Sequence, residues 1–246
     1  MPHMDRAVLV ACLLGALGAS EARAADNDTR LFFGPNGRTL VRGEGYVTAD
    51  QLFLPYVQVG ITDHVSMGAG TLALFSSDVT PPIWLTPKVK IFESDRTAVA
   101  AGVIDAIFSG DQFGLAYVVA TSGPRDKAFT LGAGWTYLHH SGSVIQTPTS
   151  SARPGYSVQP GRQSGDPSHT EGAPVLIAGA EYRISRRVTV VSEDYLGSHG
   201  GTALVGIRVI DKHHPNLTAN VGLMMPITSS IFIVAPVFNF TWHFGR

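Results

Sequence analysis

The chain closes on VFNFTWHFGR, residues 237–246. Phe238, Phe240, Trp242 and Phe244 stand at every second position, with Asn239, Thr241 and His243 between them. Period two belongs to a β-strand, whose successive side chains point to opposite faces. The stretch therefore predicts a strand with an aromatic face and a polar face. In a soluble sandwich the aromatic face meets a second sheet. In a membrane barrel it meets lipid, and the polar face lines a lumen.

Upstream, the same pattern recurs. Alternating runs fall near 51–61, 65–75, 83–92, 97–108, 113–122, 128–139, 174–184, 188–197, 202–210, 217–226 and 231–244. With one earlier strand within 30–48, the count is about twelve. The connections alternate in kind. Short charged turns (TDH, SDR, PRD, SRR, DKHHPN) take turns with Gly/Ser/Pro-rich loops (SSDVTPP, SGDQ, GSHGG, PITSS). An up-and-down antiparallel meander produces that rhythm, with tight turns at one end and longer loops at the other. Segment 30–48 is Gly- and Pro-rich, so part of it is a candidate lead-in or a piece tucked inside the lumen.

Which residues share a face discriminates between the two environments. Over 128–138, Phe129, Leu131, Ala133, Trp135 and Tyr137 oppose Ala128, Thr130, Gly132, Gly134 and Thr136. Over 202–210, Ala203, Val205, Ile207 and Val209 oppose Thr202, Gly206 and Arg208. A sandwich would expose more Lys, Glu and Asp on its outer face. Here the polar face holds small residues and single charges of both signs, as suits a lumen where charges pair. Glu44, Lys88, Lys90, Asp105, Glu181, Arg183 and Arg208 form the candidate lumen charge cluster. Phe238, Phe240, Trp242 and Phe244 form the candidate lipid-facing closing strand.

Composition agrees. Of 246 residues, 44% are hydrophobic and only 15% charged, with 27 Gly and a net charge of -1. No basic footprint points to nucleic acid. The N-terminus reads as a secretory signal: Arg6, an apolar run from Ala7 to Ala19, and Ala22-Arg23-Ala24 as an A-x-A cleavage site, leaving a mature chain from about residue 25. An alternative there is a lipobox, Leu9-Val10-Ala11-Cys12, that would make Cys12 a lipidated terminus. Cys12 is the sole cysteine, so the mature chain is held without disulfides. Segment 141–172, rich in Ser, Pro and Gly, reads as a long surface loop of one domain spanning 25–246.

Several stretches, FFGPNGRTLVRGEGY, VQVGITDHVSMGAG, WLTPKVKIF and RISRRVTVVSEDY, resemble uncharacterised outer-membrane β-barrel-like proteins of Gram-negative bacteria. The resemblance spans most of the mature chain apart from 141–172. It implies a barrel in the bacterial outer membrane and assigns no activity or functional residue. Phe244 sits near the chain's end, where such barrels carry the aromatic read by the outer-membrane assembly machinery, although Gly245 and Arg246 follow it here.

Chemical motifs are weak. Glu44, between Gly43 and Gly45, is a candidate lumen carboxylate or a solvated strand entry. Ser198 and His199, with Glu193 and Asp194 nearby, supply the residue types of a rim hydrolase, though adjacency in sequence is not triad geometry. Ser168-His169 is weaker still. The pairs His139-His140 and His213-His214 lack partners at metal-ligand spacing. Gly68-Ala69-Gly70 and Gly132-Ala133-Gly134 open no helix and are not phosphate loops.

The expectation is an all-β, transmembrane, antiparallel up-and-down β-barrel of about twelve strands, embedded in membrane lipid, with a structural or narrow-passage role. No cofactor, metal or nucleic acid is expected. The alternatives are a membrane hydrolase using Ser198 and His199, and a secreted soluble barrel binding a small apolar ligand.

Overall fold

In a computed structural model of the full chain, the described residues are 29–73, 81–108, 111–140, 169–198, 200–227 and 234–245. The signal segment 1–24 and most of the long loop, 141–168, lie outside them.

Among the described residues, thirteen strand segments form one antiparallel sheet that closes on itself: β1 (Gly45–Asp50), β2 (Leu54–Gly60), β3 (Val65–Thr71), β4 (Ile83–Leu85), β5 (Lys88–Glu93), β6 (Thr97–Phe108), β7 (Asp111–Ser122), β8 (Lys127–His140), β9 (His169–Arg183), β10 (Val188–Gly197), β11 (Gly200–Ile210), β12 (Leu217–Ile227) and β13 (Ala235–Phe244). β4 and β5 are consecutive pieces of one stave, both running between β3 and β6, so the wall has twelve staves. Closure comes from β1, which pairs with β2 on one side and with β13 on the other, Gly45 opposite Phe244 and Asp50 opposite Asn239.

The tight turns at 61–64, 94–96, 123–126, 184–187 and 211–216 gather at one end, the turn side, together with the start of β1 and the end of β13. Longer connections gather at the opposite, loop side. The first strand is Gly45–Asp50, so most of the 30–48 stretch is not wall. Residues 169–172, read above as loop, belong to β9, which pairs with β8 as far as His140.

Alternation sorts the side chains strictly. On β8, Ala128 and Thr130 are buried while Phe129, Leu131 and Trp135 are each about half exposed, at 52%, 48% and 54%. The outer surface carries Ile83, Leu85, Val89, Phe129, Leu131, Trp135, Leu176, Tyr182, Val205, Ile207, Val221, Leu223 and Phe240 as one continuous apolar belt. So large an exposed apolar surface is incompatible with water and fits hydrocarbon. The barrel spans a bilayer. Phe238, Phe240, Trp242 and Phe244 lie on this outer face, and the residues between them, Asn239, Thr241 and His243, are buried inside.

Candidate functional site: a stoppered lumen

The wall encloses chain rather than water on the turn side. Residues 29–40 run inside the barrel, and Leu31, Phe32 and Leu40 are essentially fully buried there. The local sequence explains the shape. Leu31 N–H bonds the Gly34 carbonyl at 2.9 Å, Arg30 bridges Pro35, and the Asn36 side chain accepts from Arg38 N–H at 3.0 Å. Such a compact turn leaves backbone groups that a strand neighbour would normally satisfy.

Wall side chains satisfy them. The Glu193 carboxylate accepts hydrogen bonds from three consecutive backbone N–H groups, Phe32 at 2.7 Å, Phe33 at 3.0 Å and Gly34 at 2.9 Å. Its neighbour Tyr195 adds a side-chain hydrogen bond. Arg208 does the converse, donating to the carbonyls of Arg30 at 3.2 Å and Leu31 at 2.6 Å. Lys88 Nζ donates to the Thr29 carbonyl at 2.8 Å, and Asn239 to the Phe32 carbonyl at 3.3 Å. Several donors and acceptors of the inserted segment thus meet a matching group on the wall. Charged hydrogen bonds of this kind are worth about twice neutral ones.

Two ion-pair clusters pin the segment's own arginines. Arg30 makes a two-pronged contact with Asp50, at 3.0 and 3.2 Å, and reaches Thr48 at 2.8 Å and Thr241 at 3.2 Å. Its guanidinium also lies 5.4 Å from the Tyr46 ring centroid, within cation–π range. Arg38 meets Glu181 at 3.4 Å near the turn side, where Glu181 is also bound by Arg208 at 2.8 Å. Arg208 Nε in turn donates to Asn220 at 3.0 Å, and Asn220 to Asn239 at 2.6 Å.

Glycines on the wall make room for the apolar part of the segment. A methyl group added at Gly206 or Gly222 would sit 2.8 or 3.0 Å from the tip of the Phe32 ring. Leu31 fills the corresponding space over Gly179. Phe32 and Leu31 pack there with Val191, Leu204 and Val237, and burial of each such side chain is worth roughly 1.5–3 kcal/mol.

The expected charge cluster is only partly assembled. Glu181 and Arg208 meet; Lys88 faces inward but binds the inserted backbone. Arg183 shares the inward face with Glu181, one pleat nearer the turns, where its backbone N–H bonds the Asp126 carbonyl at 2.7 Å. Lys90 pairs locally with Glu93 at 2.5 Å, three residues on. Glu44 is no lumen partner of these cations: its carboxylate accepts from Val41 N–H at 3.4 Å in a turn at the barrel's end. Asp105 is on the outer face. Ala98, Ala100 and Ala106 occupy the inward positions of β6, so the odd-numbered Asp105 points out. There it accepts from Tyr137 Oη at 2.6 Å and from Gln112 Nε2 at 2.9 Å.

Arg30, Arg38, Asp50 and Glu193 are the principal groups that the cluster above omits. A signal for Glu193 existed: Thr189, Val191, Glu193 and Tyr195 share one face, and a carboxylate there needs donors. For Arg30 and Arg38 the signal was negative, an aperiodic FFGPNG stretch flanked by arginines that suits no strand. Glu193 also bears on the hydrolase alternative. Its carboxylate is committed to the inserted segment, Asp194 points to the opposite face, and His199 lies outside the described residues.

On the loop side the lumen is different. Beyond the inserted segment lies a cavity of about 730 Å³, walled mainly by Phe33, Tyr56, Trp84, Ile104, Phe113 and Tyr117, with Arg30 and Asp50 at its floor.

No protein-family model matches the chain, and no curated protein does. Solved structures do. A NanC porin aligns over 83% of this chain and 99% of its own, at 9% identity and a TM-score of 0.50. A KdgM porin, solved in complex with disordered oligogalacturonate, aligns over 83% of this chain and 98% of its own, at 9% identity and a TM-score of 0.49. The likeness to the NanC porin is one of architecture: the chain has the closed antiparallel barrel fold of a porin, with its own residues 29–40 inside it.

Proposed function

We propose that the protein is a non-enzymatic outer-membrane barrel whose narrow passage is closed by its own N-terminal segment. The apolar belt supports a place among membrane lipids, and the aromatic closing strand supports recognition by the outer-membrane assembly machinery. The observation that carries the reading is Glu193, which holds three successive N–H groups of the segment from the middle of the lumen. Four further wall groups, Arg208, Lys88, Asn239 and Asp50, grip the same segment. A barrel of twelve strands is narrow enough for one inserted chain to occupy its width. Any solute must pass where that segment now sits, so passage is slow and depends on its displacement.

Planar-bilayer conductance tests this. The wild type is expected to conduct little, and a chain lacking residues 29–38 is expected to show open-pore currents, with Glu193→Ala giving frequent brief openings. Large steady currents from the wild type, unchanged by either alteration, would refute a stopper.

A further inference from the structure

The loop-side cavity has features that a passage does not need. Its volume of about 730 Å³ falls in the range of small-molecule sites, roughly 300–1,000 Å³. It ends blindly on the inserted segment. Phe33, Tyr56, Trp84, Phe113, Tyr117 and Tyr195 line it with aromatic rings. Two of the tyrosine hydroxyls are occupied: Tyr56 donates to Gln58 at 2.6 Å, and Tyr195 bonds Glu193. Arg30, Asp50, Gln58 and Lys88 also line it and are bonded within the protein, whereas the Tyr117 hydroxyl makes no hydrogen bond among the described residues and is available to a ligand.

The wall beside this cavity is low. β1 and β2 have 6 and 7 residues, against 14 and 15 in β8 and β9. At ~3.3 Å per residue and a tilt of ~40°, the first pair rises roughly 15–18 Å and the second roughly 35 Å. An outer-membrane apolar band is about 25 Å tall, so the β1–β2 rim lies below its edge. The hairpin tip agrees with that depth. Leu52 and Phe53 stand exposed on it, Leu52 at 63%. Gln51 and Leu52 have positive φ of 50° and 67°, in a turn where water-facing hairpins favour Asn and Gly. Above the tip the edge of β13 has lost its strand partner. The Gln51 side chain caps it instead, donating to the Pro236 carbonyl at 3.2 Å and accepting from Phe238 N–H at 3.2 Å. Leu54, which opens β2, and Leu72, the residue after β3, belong both to this low rim and to the cavity lining.

We infer that the cavity is a binding site for a compact apolar molecule bearing aromatic rings and at most one hydrogen-bonding group, which enters from the bilayer over the β1–β2 hairpin. The inference rests on the barrel's lying in lipid but not on movement of the stopper. A conductance result and a binding result therefore fail separately.

The probe is 2-naphthol, added to the full barrel in phosphatidylcholine nanodiscs. Of three tryptophans, only Trp84 lines the cavity, so Trp135→Phe and Trp242→Phe leave it as the sole emitter. Saturable quenching of Trp84, with one site per barrel, is expected. Ala106→Phe fills the cavity with apolar volume and is expected to weaken binding at least tenfold while heat-modifiable gel migration stays normal. Tyr117→Phe, which removes one hydroxyl, is expected to weaken it by on the order of threefold to tenfold. Leu52→Lys with Phe53→Lys is expected to slow association about fivefold or more while leaving the equilibrium affinity within twofold. Quenching that never saturates, or saturates equally in Ala106→Phe, overturns the site. An association rate unchanged by the two lysines overturns entry from the bilayer.

Discussion

The two halves of the lumen are built from one wall and filled in opposite ways. On the turn side the interior is solid. Residues 29–40 occupy it, and Glu181, Glu193, Arg208, Lys88 and Asn239 bind that segment group by group. On the loop side the same staves enclose about 730 Å³ of space faced with aromatic rings. The inward residues change with height to match. β10 runs Thr189, Val191, Glu193, Tyr195 from turn to loop side, and β6 runs Ala98, Ala100, Gly102, Ile104, Ala106, Phe108. Small and charged groups lie where a backbone must be received. Larger apolar ones lie where none is. A barrel interior is therefore not one environment, and the inserted segment marks the boundary between the two.

The packed half is most vulnerable at Arg208. Arg208→Met removes one of the two arginine partners of Glu181, the donor to Asn220 and both carbonyl contacts to the segment. Loss of one member of a buried charge network costs roughly 3–5 kcal/mol. The temperature at which gel mobility shifts is expected to drop markedly, and Arg208→Lys is expected to recover only part of it because an ammonium lacks the fork. Glu193→Ala follows, at roughly 2–3 kcal/mol, since it orphans three N–H groups at once. Its effect is expected to be local: amide hydrogen exchange at Phe32, Phe33 and Gly34 should accelerate on the order of a hundredfold, with the wall strands unchanged.

Gly206→Ala is a milder perturbation. Its methyl group meets the Phe32 ring at 2.8 Å and the backbone of β12, and overpacking of this kind costs about 1–3 kcal/mol. The loop-side counterpart sharpens the contrast. Phe113 is 54% exposed although it lines the cavity, so Phe113→Ala is expected to cost under about 1 kcal/mol of thermal stability. Equal losses from Gly206→Ala and Phe113→Ala would erase the distinction between a packed half and an open one.

The smallest effect lies outside the membrane, at the 211–216 turn. Backbone N–H groups of His214 and His213 hydrogen-bond the Asp211 carboxylate and hold its pKa below the ordinary value. A depressed folded pKa means a contribution present above the unfolded value and lost as pH falls through the folded one. Asp211→Asn is therefore expected to lower stability slightly at neutral pH and to leave acid pH nearly unchanged, which flattens the acid limb of the stability–pH profile. A change larger at acid than at neutral pH would contradict this.

Much of the wall was legible in the chain because period two is a local property. Each strand declares its faces through residues two apart, and turn chemistry marks the ends. The errors came where that locality fails. Asp105 was grouped with the lumen charges although its neighbours Ile104 and Ala106 hold the inward positions, and its acid is satisfied across strands by Tyr137 and Gln112. Glu44 was given distant cations although a short-range turn claims it. Ser198 lies beside a carboxylate in sequence, but Glu193 turns inward and serves the stopper.

By itself, the sequence determined the alternation, the rhythm of short and long connections, and thus an inside-out antiparallel barrel of about twelve strands. It placed one strand within 30–48 and marked part of that stretch as a candidate lead-in or a piece tucked inside the lumen. Only the tertiary structure decided where that stretch goes. Its hydrogen-bond partners come from β1, β5, β9, β10, β11 and β13, up to 211 positions away in the chain. No periodicity encodes such pairings, because they exist only once the sheet has closed and its inward groups have converged on one enclosed space.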